Sequence, residues 1–223
     1  MILKSYIVEK NISELAKYQS ALLYGENDGI KDDLKTKLKL LHKDAEIINL
    51  FQEEIIKDKN CLFDNVYNPS LFSKKKIIFI QQASDKIVSE ITEVLDKNNE
   101  TIKIYIFSQL LDKKSKLRNL FDKEKNLASL PCYQDTDKTL IFYVHDKLKD
   151  FKGINQEIIN LIISNSKFDR KIIQNEVDKI RSCFIDKNIK KNELEDLLNI
   201  KVNEDFDKLR DAALSGELRT FDK

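Results

Sequence analysis

The stretch ALLYGENDGIKDDLKTKLKLL, residues 21–41, decides the fold prediction, because its apolar period changes from that of a strand to that of a helix. The run ALLY predicts a short buried strand, and Gly25 ends it. From Asp28 to Leu41 apolar residues return every three or four positions, which predicts a helix with Asp28 as a candidate N-cap. A strand followed directly by a helix is the first half of a strand–helix–strand unit.

The same alternation of apolar patterns continues to residue 133. The predicted strands after the first are Glu46–Phe51, Lys76–Gln82, Ile102–Phe107 and Leu127–Tyr133. The predicted helices between the strands are Asp28–Leu41, Glu53–Val66, Ser84–Leu95 and Asp112–Phe121. Strands that alternate with helices in this way predict an α/β fold, a mostly parallel sheet with helices on both faces.

Beyond Tyr133 the pattern becomes helical. Residues 134–138 predict a polar linker, and the helical patterns that follow are Leu140–Phe151, Asn155–Ile163, Asp169–Ile185 and Lys191–Leu198. A further helix begins at Glu204 and stops at Ser215-Gly216, and another begins at Glu217. The predicted division is an α/β domain over residues 1–134, a small helical domain over 135–201 and the start of a third domain over 202–223. We expect the chain to end before its architecture does.

The composition narrows the possible functions. With 39 basic and 38 acidic residues the net charge is +1, which argues against a uniformly basic nucleic-acid binder and leaves room only for a local contact. No apolar run approaches the roughly 20 residues of a membrane span, and the start MILKSYIVEK lacks the apolar core of a signal peptide. Cys61, Cys132 and Cys183 are scattered and form no metal-ligand pattern. We therefore expect a cytoplasmic protein with no membrane contact, no metal and no cofactor.

The turn after the first predicted strand has the position of a nucleotide-binding P-loop without its residues. Such a loop needs two glycines separated by four residues, the second directly before a Lys and a Ser or Thr. Here Gly25 and Gly29 are one residue too close, Ile30 intervenes before Lys31, and Asp32 replaces the hydroxyl. The acidic residues of the turn would also repel phosphates. Because no other catalytic pattern is present, we expect no intrinsic catalysis.

The stretch SLFSKKKIIFI, residues 70–80, places Leu71 and Phe72 in a polar setting directly before the third predicted strand. If both side chains are exposed, they form an apolar anchor for a partner. The alternative is that they complete the core of their own domain. The residues alone leave both interpretations open.

Four motifs in order carry a resemblance to a known family: LLYGEND at 22–28, SLFSKKKIIFI at 70–80, LDKKSKLRNLF at 111–121 and CYQDTDKTL at 132–140. Together they resemble the delta subunits of bacterial DNA polymerase III clamp loaders. The resemblance implies an AAA+-like α/β domain without a working P-loop, a helical lid and a third, collar domain. DKLRDAALSGEL at 207–218 is similar to the start of that collar.

The same resemblance implies a function and partners. A delta subunit is a non-catalytic subunit of a DNA-directed DNA polymerase holoenzyme, a nucleotidyltransferase. It binds and opens the sliding clamp, the beta subunit, for loading onto primed DNA during replication. Its other partners are the ATPase and delta-prime subunits of the loader. Leu71 and Phe72 match the family's wedge, which enters an apolar pocket on the clamp.

A second candidate site is basic. Lys113, Lys114, Lys116 and Arg118 cluster at the start of a predicted helix that follows a strand, the edge of an α/β sheet where ligands usually bind. They are candidates for DNA phosphate contacts, and the alternative is a solvated helix face. Two other functions remain open at this point: a divergent nucleotide-binding AAA+ ATPase, and a DNA-binding scaffold without a clamp partner.

Overall fold

The computed structural model describes residues 1–68, 73, 75–96, 101–199 and 210–216 of the chain. The chain divides into two compact units, Met1–Gln134 and Asp135–Lys223. Within the described ranges, the first unit alternates strands with helices and the second is helical. No helix in these ranges is both long and apolar enough to span a membrane.

The first unit is built on a parallel sheet. Its strands are β1 (Ser20–Tyr24), β2 (Glu46–Phe51), β3 (Lys76–Ala83), β4 (Ile102–Ser108) and β5 (Leu127–Pro131), in the spatial order β2-β3-β4-β1-β5. β1 pairs with β4 on one side and with β5 on the other, and all of its residues are buried. A strand covered on both sides and both faces reads as a continuous apolar run, which is why ALLY predicted it. The predicted α/β class with a parallel sheet is confirmed.

Helices cover both faces of this sheet. They are α1 (Ser5–Lys10), α2 (Ser13–Ala16), α3 (Asp28–Leu41), α4 (Gln52–Lys57), α5 (Asn60–Tyr67), α6 (Val88–Asp96) and α7 (Lys116–Lys123). Successive strand residues point to opposite faces, so Ala21 and Leu23 share a core with α1 to α3, whereas Leu22 and Tyr24 share one with α4 to α7. The neighbouring strands β1 and β4 therefore lead into helices on opposite faces. The point where connections diverge in this way is where open α/β sheets usually bind ligands.

The single helix predicted over Glu53–Val66 is wrong, because α4 and α5 are separate. Asp58 is extended, with φ −137°, and ends α4. Its carboxylate accepts a hydrogen bond from the N–H of Asn60 at 3.0 Å. Such a local side-chain acceptor competes with the helical hydrogen-bond ladder and favours a turn.

The start of α7 and the end of β5 also differ from prediction. α7 begins at Lys116 rather than at Asp112. Asp112 Oδ1 accepts from the backbone N–H of Lys114 at 2.7 Å and of Ser115 at 2.9 Å, which stabilises a turn ahead of the helix. β5 ends at Pro131, two residues before the predicted end at Tyr133.

The second unit is a helical group formed by α8 (Asp137–Lys147), α9 (Gln156–Asn165), α10 (Arg170–Cys183) and α11 (Lys191–Leu197). α8 begins before the predicted Leu140, because Thr136 and Thr139 cap each other. The predicted linker also contributes Asp135, which pairs with buried Arg170 at 3.0 Å. Residues 210–215 are helical, and the rest of the predicted third domain, 202–209 and 217–223, lies outside the described residues.

Candidate functional site

The first turn, residues 25–28, connects β1 to α3 at the carboxyl edge of the sheet. Gly25 has φ +134°, and a Cβ there would lie 2.1 Å from the carbonyl oxygen of Cys132, so only glycine fits. The backbone N–H of Gly25 donates to the carbonyl of Gln109 at 3.3 Å, and that of Asn27 donates to the carbonyl of Cys132 at 3.0 Å. A phosphate-binding loop directs such amides at phosphate oxygens. Here they bind the protein's own carbonyls.

The amino end of α3 is likewise closed by the protein. Asn27, and not the predicted Asp28, is the N-cap: its Oδ1 accepts from the N–H of Ile30 at 3.0 Å. Asp28 lies one position inside the helix, where its carboxylate pairs with Lys31 Nζ at 2.8 Å. A helix amino end that would otherwise favour an anion is thus occupied by side-chain oxygens.

Lys31, the residue nearest in sequence to a P-loop lysine, is folded inward. It is 5% exposed. Besides its ion pair with Asp28, its Nζ donates to the carbonyl of Gly25 at 2.8 Å and to that of Ser108, at the end of β4, at 3.0 Å. An ammonium has three donors, and these three contacts engage all of them. Lys31 therefore joins β1 to β4 and has no donor left for a nucleotide phosphate.

The second turn, residues 109–115, connects β4 to α7 at the same edge and has the opposite character. Lys113 and Lys114 lie in this turn and Lys116 begins α7, and all three are exposed. We call these residues the lysine cluster. The structure describes no ion pair for any of them. The ammonium groups of the cluster thus face solvent and could contact phosphates through charge rather than through a shaped pocket.

Arg118 differs from the lysine cluster, with which the sequence analysis had grouped it. Its guanidinium lies 4.9 Å from the ring centroid of Tyr24 and donates to the carbonyl of Leu111 at 3.1 Å. It also pairs with Asp122 at 3.4 Å, and its side chain is 16% exposed. Arg118 therefore fixes α7 to the sheet, and the cluster contains the more accessible charges.

Asp85, in the 3₁₀ turn Asp85–Ile87 before α6, caps α7 across the sheet edge. One carboxylate oxygen accepts from Ser115 Oγ at 2.7 Å and from the N–H of Leu117 at 3.0 Å, and the other accepts from the N–H of Lys116 at 3.0 Å. Burial alone would raise the pKa of Asp85, but the hydrogen bonds from Leu117, Ser115 and Lys116 outweigh it and lower that pKa. The amino end of α7 is consequently also occupied.

The predicted wedge, Leu71 and Phe72, lies outside the described residues, in the segment 69–72. The end of α5, directly before this segment, is held by Lys76, which follows the segment in β3. Lys76 is 7% exposed, and its Nζ donates to the carbonyl of Asn65 at 2.9 Å and to that of Asn68 at 2.6 Å. A buried ammonium at the last carbonyls of a helix satisfies acceptors that the helix leaves unpaired. It fixes the end of α5 to the start of β3.

The chain after the segment is held as well. Ser73 Oγ donates to the carbonyl of Asp44 at 2.5 Å and accepts from the N–H of Lys75 at 3.2 Å. The N–H of Glu46 donates to the carbonyl of Lys75 at 2.9 Å, which aligns β2 with β3. In the sequence, the two residues of the predicted wedge therefore lie between Asn68 and Ser73, which these hydrogen bonds hold.

An aromatic pair lies directly before this segment. The rings of Phe63 and Tyr67, one helical turn apart on α5, are parallel with centroids 6.1 Å apart. Tyr67 is 43% exposed, so one large side chain on the described side of the segment faces solvent. Tyr67 comes four positions before Leu71 in the sequence, so an exposed aromatic side chain precedes the predicted wedge.

Comparison with solved structures identifies the architecture. The Bacillus subtilis DNA clamp loader delta protein (YqeN) matches with a TM-score of 0.68 and 14% sequence identity, over 97% of this chain and 70% of that protein. The chain has the fold of a clamp-loader delta protein. The resemblance inferred from the four motifs is therefore confirmed at the level of fold.

Two further matches are weaker. Domain III of the Thermotoga maritima replication initiation protein DnaA gives a TM-score of 0.44 at 12% identity, over 87% of this chain and 88% of that one. C. elegans PCH-2 gives 0.48 at 13% identity, over 90% and 65%. No protein-family model and no curated protein sequence matches the chain.

Two functional features escaped sequence reasoning, the inward position of Lys31 and the capping role of Asp85. The Asn27-Asp28-Gly29 run contained a cap signal, since Asn is among the preferred N-caps, and it was assigned to the wrong residue. Asp85 gave no signal, because the residues that it binds lie some thirty positions away, Ser115 by a separation of 30. Such contacts depend on which strand ends meet at one edge.

Proposed function

We propose that the chain is a clamp-loader delta subunit that acts in the cytoplasm during DNA replication and opens the sliding clamp without catalysis of its own. The observation that carries the proposal is the delta-protein fold over 97% of the chain. The division into an AAA+-like domain at 1–134, a lid at 135–201 and the start of a collar at 202–223 belongs to the same proposal. The partners are the beta clamp, the ATPase and delta-prime subunits, and primed DNA within the assembled loader.

The closed first turn supports a non-catalytic role. In an ATPase, the lysine of this turn must reach the nucleotide phosphates, whereas Lys31 here binds Gly25, Ser108 and Asp28. The alternative of a divergent ATPase requires this group of bonds to break for each nucleotide bound. ATP-dependent stabilisation of the isolated chain in a melting assay would support that alternative. We expect none, so ATP acts through the neighbouring subunits.

Leu71 and Phe72 supply the contact with the clamp. Burial of both side chains is worth about 3–6 kcal/mol before association costs. Inverting a 1:99 equilibrium between an open and a closed ring takes about 5.5 kcal/mol of differential affinity. Burial of the pair can supply a difference of this size only if the pocket takes up both side chains fully in the open ring and not in the closed one. The described residues on either side of the segment are held by hydrogen bonds, Asn65 by Lys76 and Ser73 by Asp44.

The test is calorimetric binding of the chain to the sliding clamp of its own organism, without nucleotide. We expect Leu71→Ala/Phe72→Ala to weaken binding at least about 100-fold, since anchors of this kind dominate interface energies. A matched control, Leu40→Ala/Phe142→Ala, truncates one Leu and one Phe that are exposed elsewhere, 59% and 74%. It should bind like the parent chain.

Melting curves of both double variants separate the wedge from a core role. An exposed wedge can be truncated with little change in melting temperature, whereas loss of two core side chains lowers it by many degrees. Full clamp affinity in the Leu71→Ala/Phe72→Ala variant would refute the wedge. Absence of clamp binding by a folded parent chain would refute the proposed function.

A further inference from the structure

An exposed aromatic ring lies at the carboxyl edge of the sheet, beyond the end of β5. Tyr133 is 49% exposed, and its ring meets that of Tyr24 edge to face, with centroids 6.3 Å apart and planes at 88°. Tyr24, the last residue of β1, is 1% exposed and immobilised by the core. The exposed ring is therefore held by a fixed partner, and its position costs little further ordering when a ligand binds.

Tyr133 and the lysine cluster lie at the same edge of the sheet, because the strands that they follow, β5 and β4, both pair with β1. Arg118 connects them: its guanidinium lies 4.9 Å from the Tyr24 ring centroid and donates to the Leu111 carbonyl at 3.1 Å. Asn119 Nδ2 then donates to the carbonyl of Lys113 at 3.1 Å. Leu110, in the second turn, adds a side chain that is 56% exposed. An exposed ring, an exposed apolar side chain and exposed lysines thus lie at one edge of the sheet.

The chemistry of this surface excludes a nucleotide cradle and fits an extended ligand. The amino ends of α3 and α7 are capped by Asn27 and Asp85, so neither directs its free amides at a phosphate. Lys31 is engaged within the protein. What remains is an exposed ring and exposed lysines at one edge of the sheet. Proteins that bind single strands combine stacking rings, which accept any base, with a positive surface that follows the backbone.

We propose that this surface binds single-stranded DNA, with one unpaired base stacked on Tyr133 and the adjacent phosphates near the lysine cluster. Duplex DNA fits less well, because its bases are already stacked on one another and cannot cover the ring. The inference deepens the proposed function and rests on it for the choice of DNA, since a primed template presents a single strand next to a duplex. It does not use Leu71 or Phe72.

The test measures fluorescence anisotropy of a labelled oligo(dT) single strand with the full chain, at about 50 mM salt and through a salt titration. We expect Tyr133→Ala and Tyr133→Leu to weaken binding about 5- to 50-fold, the loss expected for one stacked base. Tyr133→Phe should bind within about twofold of the parent, because it keeps the aromatic face. If Tyr133→Ala fails to fold, the comparison of Tyr133→Leu with Tyr133→Phe decides, since both keep the apolar bulk.

The contribution of the lysine cluster is measured separately, through the salt dependence of binding. The variant Lys113→Ala/Lys114→Ala/Lys116→Ala should reduce the slope of log affinity against log salt by about 2, because each phosphate neutralised on a single strand contributes about 0.7 to that slope. Tyr133→Leu should leave the slope unchanged. The matched control Lys10→Ala/Lys43→Ala/Lys57→Ala removes the same charge from exposed positions elsewhere and should retain the parent slope.

Several outcomes would overturn the inference. These are no single-strand binding by the parent chain at about 50 mM salt, equal loss in Tyr133→Phe and Tyr133→Leu, and equal effects of Tyr133→Leu on a duplex of the same sequence. A loss of clamp affinity in Tyr133→Leu with unchanged DNA binding would assign the surface to a protein partner instead. Failure of the proposed function is distinguishable, because it is read from clamp binding by the Leu71→Ala/Phe72→Ala variant, which should bind DNA like the parent.

Discussion

The two turns at the carboxyl edge of the sheet use the same residue type in opposite ways. In the first turn Lys31 is 5% exposed, and carbonyl and carboxylate oxygens engage its ammonium. In the second turn the lysine cluster is exposed, while the adjacent helix amides are capped by Asp85. Both turns lie where α/β sheets usually bind ligands. One of them is therefore part of the scaffold, and the other is open surface.

The comparison shows that one edge of a sheet can lack a shaped nucleotide site and still present exposed positive charge. A nucleotide cradle requires free amides, a free lysine and space close to the backbone. In the first turn the N–H groups of Gly25 and Asn27 bind carbonyls, Lys31 is engaged, and Gly25 lies against Cys132. An exposed ammonium requires only that a phosphate comes near, and its interaction is long-ranged and sensitive to salt. Binding at this edge should thus depend on overall charge and on Tyr133 rather than on a shaped phosphate pocket.

The largest effect on stability is expected when the first turn is forced open at Gly25. In Gly25→Ala the new Cβ would meet the carbonyl oxygen of Cys132 at 2.1 Å, and φ +134° is unfavourable for any L side chain. Strain and displaced backbone should together lower the free energy of unfolding by about 3–5 kcal/mol. Urea unfolding followed by circular dichroism measures the change.

Gly216→Ala is the matched control for this prediction. Gly216 also has a positive φ, +74°, but nothing lies within 4 Å of its added Cβ. It isolates the conformational cost, about 1 kcal/mol, from the collision. If Gly25→Ala costs no more than Gly216→Ala, then the first turn is not closed against β5 in the way the distances indicate.

Removing the ammonium of Lys31 while keeping the shape of the first turn should lower the free energy of unfolding less than Gly25→Ala does. Lys31→Met retains the length of the side chain but leaves the carbonyls of Gly25 and Ser108 without their donor. Because these two buried carbonyls lose a charged donor, the free energy of unfolding should fall by about 2–3 kcal/mol. Lys113→Met makes the same change at the exposed second turn and should cost less than about 0.5 kcal/mol. Equal costs in urea unfolding would show that the two turns do not differ as described.

Sequence patterns could predict the sheet because its core strands are local apolar runs. ALLY, IIFI and IKIYIF are each buried almost throughout, since neighbouring strands and helices cover them on every side. The element boundaries were harder. Asp58 and Asp112 each bind a backbone N–H two residues ahead, and these short-range bonds replaced helix that the apolar spacing had predicted.

The candidate sites were predictable only where their residues are close together in the sequence. Lys113, Lys114 and Lys116 are adjacent in sequence, and charged turn residues are usually exposed. The position of Lys31 was not predictable, since its carbonyl acceptor on Ser108 lies 77 residues away and depends on β4 lying beside β1. For the same reason nothing in the sequence marked Arg118 as the member of the basic group that packs on Tyr24.

The smallest effect concerns the cap that closes the second turn, and it should depend on pH. Because hydrogen bonds lower the pKa of Asp85 in the folded protein, its ionised form stabilises the fold at pH values above the ordinary aspartate pKa of 3.8. That stabilisation is lost as the pH falls from about 4 through the lowered folded pKa. Asp85→Asn loses one of the two acceptor oxygens and should cost about 1 kcal/mol at about pH 7, the usual cost of a lost cap.

Urea unfolding of the parent and of Asp85→Asn between about pH 7 and about pH 2.5 measures this dependence. The difference in unfolding free energy should be constant down to about pH 4 and should shrink below it, as the parent's carboxylate is protonated. Asp112→Asn is the matched control, because Asp112 accepts both of its hydrogen bonds through one oxygen, which an amide can replace. A difference for Asp85→Asn that persists at the lowest pH, or one that equals that of Asp112→Asn, would mean that the charge of Asp85 does not hold α7.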